Sequence, residues 1–272
     1  PDFVAGLADD PGNRHLDTDF ELVQDTFRRF AEEQVVPRAE HIHRNNEDIP
    51  EELIAGLAEM GLFGLSIPEA YGGFATGGQS DYLGMIIATE ELSRASLGAA
   101  GSLITRPEIL ARALETGGTE EQKQHWLPKL AVAEVMPAVA VTEPDYGSDV
   151  AGLKVTATPT ADGGHYAING VKTWCTFAAR ANVLLLLART DPDRSKTHRG
   201  LSMFIVPKEQ ADGHGFEFSV TNPDGSVGKM EGRAIDTIGY RGMHSYEISL
   251  ENWWVPAANL IGEEGGLGKG FY

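Results

Sequence analysis

The hydrophobic periodicity of this 272-residue chain changes once, near residue 137, and this change restricts the possible folds more than any other feature. Before it, apolar residues recur at three- and four-residue spacing, as in Phe20, Val23 and Phe27, which is typical of amphipathic helices. After it, short apolar runs are separated by glycine, proline and aspartate turns, which is typical of strands. Because no helices separate the strands, we predict an α+β fold in which an N-terminal all-helical domain precedes an antiparallel β domain.

We predict a helical domain over 1–137, a β domain over 138–259, and a linker over 260–272 that leads towards another helix. Thr18 with Glu21, and Thr119 with Gln122, have the spacing of capping boxes at helix starts. The first helix is expected to end around Pro37. The other predicted helices are 51–60, 81–94, 99–115 and 119–131, and the predicted strands are 154–158, 166–168, 182–188, 201–206 and 246–250.

One turn has the composition of a ligand site. The apolar run 138–141 is expected to be a buried strand, and it is followed by a sharp turn over 142–149, Thr-Glu-Pro-Asp-Tyr-Gly-Ser-Asp. Such a turn leaves backbone N–H groups free to bind ring carbonyls or pyrophosphate oxygens. About thirty residues later, Trp174 offers a flat face to stack on a ring, and Thr176 is expected on the same side of its strand.

Taken alone, the 142–149 turn also fits an ordinary proline and glycine turn in which Ser148 and Asp149 cap the backbone. Glu143 is interpreted as a structural residue of this turn. The surrounding motifs decide between the two interpretations. In order and spacing they resemble the acyl-CoA dehydrogenase family over essentially the whole chain. The matching segments are 67–73, 141–149, 170–174, 239–242 and 255–262.

The resemblance implies a helical domain, a β domain and a third, C-terminal helical domain that is missing from this sequence. It implies FAD as cofactor and an acyl-CoA thioester as substrate, which is oxidised between its α and β carbons to the trans-2-enoyl-CoA. Electrons are then expected to pass to an electron-transferring flavoprotein. A homo-oligomer, either a tetramer or a dimer, is also implied.

By position in the motifs, the resemblance implies a set of cofactor-binding residues, with Ser148 also near the substrate. Cys175 departs from the aliphatic residue usual in the family, and we interpret it as a small buried filler. The family's catalytic glutamate is expected beyond Tyr272, so no base is assigned. The implied cofactor-binding residues are Val139, Val141, Thr142, Gly147, Ser148, Trp174, Cys175 and Thr176.

Two other functions stay open at this point. Relatives on the same scaffold use the flavin site to activate oxygen, so a flavin monooxygenase or oxidase is the first alternative. The second is a non-catalytic subunit that pairs with an active homologue.

Composition excludes some classes of function. A formal net charge of −18 offers nothing to neutralise phosphates, which argues against nucleic-acid binding. The single cysteine rules out an internal disulfide framework. His41 and His43 lack a third ligand nearby, so no metal site is predicted. No apolar run is long enough to cross a membrane. We also expect a bacterial cytoplasm rather than a mitochondrial matrix, because the sequence is acidic.

Overall fold

The computed structural model describes residues 16–78 and 80–271. Its first half is helical and its second half is a sheet, which confirms the predicted α+β arrangement. The helices are α1 (Thr18–Phe30), α2 (Val36–Asn45), α3 (Glu51–Glu59), α4 (Ser80–Ala95), α5 (Thr105–Gly117) and α6 (Glu120–Ala131). The strands are β1 (Pro137–Ala140), β2 (Thr156–Pro159), β3 (His165–Thr176), β4 (Val183–Arg189), β5 (Leu201–Pro207), β6 (Gly215–Thr221), β7 (Val227–Ala234) and β8 (Ser245–Pro256).

Two predictions for the first helix were wrong. The N-cap is Asp17 rather than Thr18, because the Asp17 carboxylate accepts a hydrogen bond from the backbone N–H of Phe20 at 3.0 Å. The helical path also continues beyond Pro37 to Asn45 through a π-helical turn at Ala31–Val35. Pro37 then falls in the first turn of α2, where its missing N–H is tolerated.

Within the described residues the strands form one sheet in the order β1-β4-β2-β3-β8-β7-β6, with β5 paired to β4. Most neighbours are antiparallel, as predicted, but β1 runs parallel to β4 and a single residue pair joins β2 to β4 in parallel. The short β1 is therefore paired with a strand more than forty residues further along the chain, a connection that periodicity alone does not indicate. The domain bounds given above remain a prediction.

The hairpin of β6 and β7 was missed by the sequence analysis. The inward positions of β7 include Gly228 and Gly232, so the apolar alternation expected of a strand is absent. Gly232 pairs directly with Phe216, and a Cβ added at Gly232 would lie 2.3 Å from the Phe216 ring. The aromatic ring therefore fills the space that a side chain on β7 would otherwise occupy.

Strand β4 joins the two halves of the molecule because it is buried on both faces. Leu184 and Leu186 belong to the core of the sheet. Leu185 on the other face packs with residues of the helices, including Leu110 and Leu114 of α5. Among the described residues, no helix has both the length and the apolar character to span a bilayer.

Candidate flavin site

The turn after β1 is closed by its own backbone. Glu143 and Tyr146 exchange two hydrogen bonds, with N···O distances of 2.9 and 3.0 Å. Their peptide groups are thus satisfied within the turn. Gly147 and Ser148, which follow, are both exposed.

The Glu143 side chain fixes this turn from inside. It is 5% exposed, and its two carboxylate oxygens accept hydrogen bonds from the backbone N–H groups of Lys154 at 2.7 Å and Val155 at 2.9 Å. The ammonium group of Lys172 donates to the same carboxylate at 2.9 Å. Glu143 is therefore a structural residue, as the sequence analysis interpreted it.

Lys172 is the partner that makes this burial possible. It lies on β3, its side chain is fully buried, and its ammonium group also donates to the carbonyl oxygen of Val141 at 2.9 Å. Burial lowers the pKa of Lys172, and the Glu143 carboxylate opposes that shift. The pair thus links the strand β3 to both sides of the turn.

A backbone hydrogen bond brings the two sequence motifs together. The N–H of Thr173 donates to the carbonyl oxygen of Thr142 at 2.9 Å. Immediately after it, the pairing of β3 with β8 shifts register, and Trp174 adopts a left-handed conformation with φ of 59°. The indole is left 55% exposed next to the turn.

This register shift also changes the expected placement of Thr176. Regular alternation would put Trp174 and Thr176 on one face. In the structure Thr176 is 9% exposed, and its hydroxyl lies 2.8 Å from the Ser245 hydroxyl in a hydrogen bond. Trp174 therefore faces solvent while Thr176 is turned towards β8.

The arrangement fits a flavin nucleotide because it leaves several backbone hydrogen-bond donors free. Among the described residues, the backbone N–H groups of Thr142, Gly147 and Ser148 have no hydrogen-bond partner. Free N–H groups in a turn are suited to ring carbonyls and phosphate oxygens. One residue after the Thr173 hydrogen bond to this turn, the exposed indole of Trp174 supplies a flat apolar face. A planar ring with a pyrophosphate tail matches both features.

The other predicted residues, Val139, Val141 and Cys175, lie in three different hydrophobic clusters. Val139 packs with the cluster between sheet and helices, and Val141 packs against Leu153 and Leu187. Cys175 is fully buried in the sheet core, which confirms the filler interpretation and raises the pKa of its thiol to about 12. Because the Cys175 side chain lies in the core of the sheet, only the backbone of Cys175 is available to contact the cofactor.

Sequence reasoning did not single out Lys172 or Arg189, which hold the site in place. Arg189 is 5% exposed, and its guanidinium donates to the carbonyl oxygens of Ala151 at 2.7 Å and Leu153 at 3.3 Å. It thereby fixes the chain that leaves the turn. The sequence does contain a signal for both residues: each is a cationic residue within a strand, where a buried charge is unfavourable unless it is paired.

Comparisons with known proteins agree with these features. A family model described as acyl-CoA dehydrogenase, N-terminal domain, matches residues 17–134, and one described as acyl-CoA dehydrogenase, middle domain, matches residues 138–253. The chain is 45% identical over 263 residues to (2S)-methylsuccinyl-CoA dehydrogenase of Cereibacter sphaeroides, covering 96% of this chain and 44% of that protein.

Solved structures give the same result. A glutaryl-CoA dehydrogenase complexed with glutaryl-CoA matches with a TM-score of 0.78 and 30% identity, covering 95% of this chain and 60% of that one. An acyl-CoA dehydrogenase from Bacillus anthracis complexed with FAD matches with a TM-score of 0.74 and 29% identity, covering 94% of this chain and 40% of that one.

Proposed function

Since this chain belongs to the acyl-CoA dehydrogenase family, we propose that it forms the flavin-facing part of an FAD-dependent enzyme that oxidises an acyl-CoA thioester. The chain spans about half the length of the curated relatives it matches, 44% and 56% for two of them. The proposal therefore concerns the activity of the full-length protein.

The observation that carries the proposal is the hydrogen bond between Thr173 and Thr142. It joins the 142–149 turn to the residue that precedes the exposed Trp174, although the two motifs are about thirty residues apart in sequence. Bound FAD would supply the acceptor for the hydride that leaves the substrate β carbon. The protein supplies binding, orientation and electrostatics.

Each residue has a role that follows from its position. The backbone and hydroxyl of Thr142 are proposed to bind the polar edge of the ring, and those of Ser148 to bind the pyrophosphate and to approach the substrate's pantetheine arm. Trp174 is proposed to cover the ring and exclude water from it. The buried pair of Glu143 and Lys172 keeps these donors in a fixed geometry, which lowers the reorganisation needed when the ligand binds.

The remaining parts of the proposal come from the family resemblance. No catalytic base is assigned to this chain, and a glutamate from the rest of the full-length protein is proposed to remove the α proton. Electron transfer to an electron-transferring flavoprotein, assembly as a homo-oligomer, a bacterial cytoplasmic location and a place in fatty acid metabolism are proposed on the same ground.

The first test is an anaerobic titration of the full-length protein with a panel of acyl-CoA thioesters, following the flavin absorbance band at about 450 nm. Bleaching by at least one thioester supports dehydrogenation. Bound flavin that no thioester reduces, or reduced flavin that air reoxidises rapidly, would favour the oxygen-activating alternative. Absence of flavin from the purified protein would favour a non-catalytic subunit.

A pair of tryptophan variants tests the site itself. Trp174→Ala should weaken FAD binding by about 10-fold, since it removes one aromatic contact with the ring. Trp254→Ala is the matched control, because the Trp254 indole packs against His165 and binds Asn252 rather than facing the turn. FAD affinity measured by flavin fluorescence should distinguish the two, and equal losses would argue against the proposed ring position.

A further inference from the structure

Three potential metal ligands meet where the helical and sheet halves of the molecule join. Asp48 lies between α2 and α3, His214 directly precedes β6, and His244 directly precedes β8. One carboxylate oxygen and one nitrogen of each imidazole lie within 4.8 Å of one another, and the two rings are 4.2 Å apart between centroids. None of these residues belongs to the candidate flavin site.

The hydrogen bonding of His244 uses one ring nitrogen and leaves the other directed at Asp48. The ring is 4% exposed, and its Nε2 lies 3.2 Å from the amide oxygen of Asn46. An amide oxygen only accepts, so Nε2 carries a hydrogen, and Nδ1 is the ring nitrogen that is available to a metal ion. That Nδ1 has no hydrogen-bond partner among the described residues, although it lies 2.8 Å from a carboxylate oxygen of Asp48.

An unprotonated Nδ1 that faced a carboxylate oxygen at this distance would be unfavourable, so either a proton on the ring or a bound metal ion lies between the two atoms. His214 approaches the same oxygen of Asp48, with its Nε2 at 3.8 Å. Two imidazole nitrogens and one carboxylate oxygen thus converge on a single point. This combination of ligands suits Zn²⁺.

We propose that Asp48, His214 and His244 bind a zinc ion, with water in the fourth position. Tetrahedral ligands at about 2.0–2.2 Å from the metal are about 3.3–3.6 Å from one another. The separations from Asp48 to the two imidazole nitrogens, 2.8 and 3.8 Å, lie on either side of that range. Asp48 and His214 are both partly exposed, so their side chains have room to rotate towards those separations.

Access and position suggest what the ion does. A cavity of about 260 Å³ that is lined by Asp48, Gly242 and Tyr246 opens beside the cluster and gives a hydrated ion a route to it. The same region already joins the two halves through the hydrogen bond from Ile49 N–H to the Gly242 carbonyl oxygen at 2.9 Å. A zinc ion bound here would join the helical half, through Asp48, to the sheet half, through His214 and His244, with an exchangeable water as its fourth ligand. Sequence reasoning considered only His41 and His43 and predicted no metal site.

The test uses the full-length protein with its affinity tag removed, stripped with a chelator and dialysed against buffered free Zn²⁺. Bound metal is measured by mass spectrometry and the melting temperature by calorimetry. The wild type should bind one zinc per chain, and zinc at about 100-fold above its Kd should raise Tm by about 5 °C. His214→Gln and Asp48→Asn should each weaken zinc binding by more than about 100-fold.

His43→Gln is the matched control, because His43 is exposed on α2 and its side chain lies outside the cluster. It should bind zinc as the wild type does. His214→Gln changes a partly exposed side chain, so its fold should persist even if a change at buried His244 disrupts folding. Equal zinc binding by wild type and His214→Gln, or a Tm that responds to pH but not to zinc, would overturn the proposal.

Discussion

At the residue scale, the buried pair of Glu143 and Lys172 fixes the turn of the candidate flavin site. Each charge is removed from water, and each is compensated by hydrogen bonds as well as by its partner. Because removal of one member leaves a buried charge uncompensated, such pairs are sensitive to single substitutions. The conformation of the turn therefore depends on a lysine about thirty residues away in the sequence.

Lys172→Met should lower the free energy of unfolding by about 3 kcal/mol, since the Glu143 carboxylate stays buried without its counter-ion. Lys154→Met is the control: its ammonium group is half exposed and pairs with Asp145 at 3.4 Å, so its loss should change stability by less than about 0.5 kcal/mol. Urea unfolding measures both.

The double variant Lys172→Met/Glu143→Gln completes the cycle. Because the second change removes the uncompensated charge, the double variant should be more stable than the sum of the two single losses predicts, by at least about 1 kcal/mol. Strict additivity would show that the two residues act independently.

Cys175 gives a pH-dependent prediction with a definite sign. Its pKa is raised from 9.0 to about 12 because burial disfavours the thiolate. The unfolded chain therefore loses this proton first, so stability falls as pH rises above about 9, by at most about 1.4 kcal/mol per pH unit until the folded thiol also titrates.

Cys175→Ala and Cys175→Ser should each lack this component, although both lower stability at neutral pH. Denaturant unfolding at several pH values between 7 and 10 compares their slopes with that of the wild type. An unchanged alkaline slope in both variants would contradict the assignment to the thiol.

At the element scale, the residues that cap the start of α6 also bind a second segment of the chain. The predicted capping box of Thr119 and Gln122 is confirmed. The Gln122 amide also donates to the carbonyl oxygens of Ala258 and Leu260, and its oxygen accepts from the N–H of Gly262. One side chain therefore fixes both the helix start and the segment that follows β8.

Gln122→Ala should therefore be more destabilising than Thr119→Ala. Loss of the threonine cap costs about 1 kcal/mol, whereas loss of the glutamine also leaves buried backbone groups unpaired, for a total of about 2–3 kcal/mol. Chemical denaturation of the two variants gives the comparison. Equal losses would mean that solvent replaces the bonds to the 258–262 segment.

At the scale of the whole molecule, like charges oppose the compact state. The formal net charge is −18, and at low ionic strength the repulsion is screened only beyond about 30 Å. Raising NaCl from about 10 to about 150 mM should raise Tm by a few degrees, because the screening length falls to about 8 Å. Calorimetry with NaCl and with choline chloride separates ionic strength from ion-specific effects. A lower Tm in both salts would show that ion pairs outweigh the net charge.

The change of periodicity near residue 137 determined the α+β arrangement, and the 142–149 turn with Trp174 indicated a ligand site, because both depend on local residue patterns. The resemblance of the surrounding motifs to a known family then pointed to a flavin as the ligand. Only the tertiary structure paired β1 with β4, revealed the hairpin in which Phe216 fills the place of a side chain at Gly232, and placed Lys172 against Glu143. It also brought Asp48, His214 and His244 together from distant parts of the chain. These features depend on contacts between residues far apart in sequence, which no local pattern encodes.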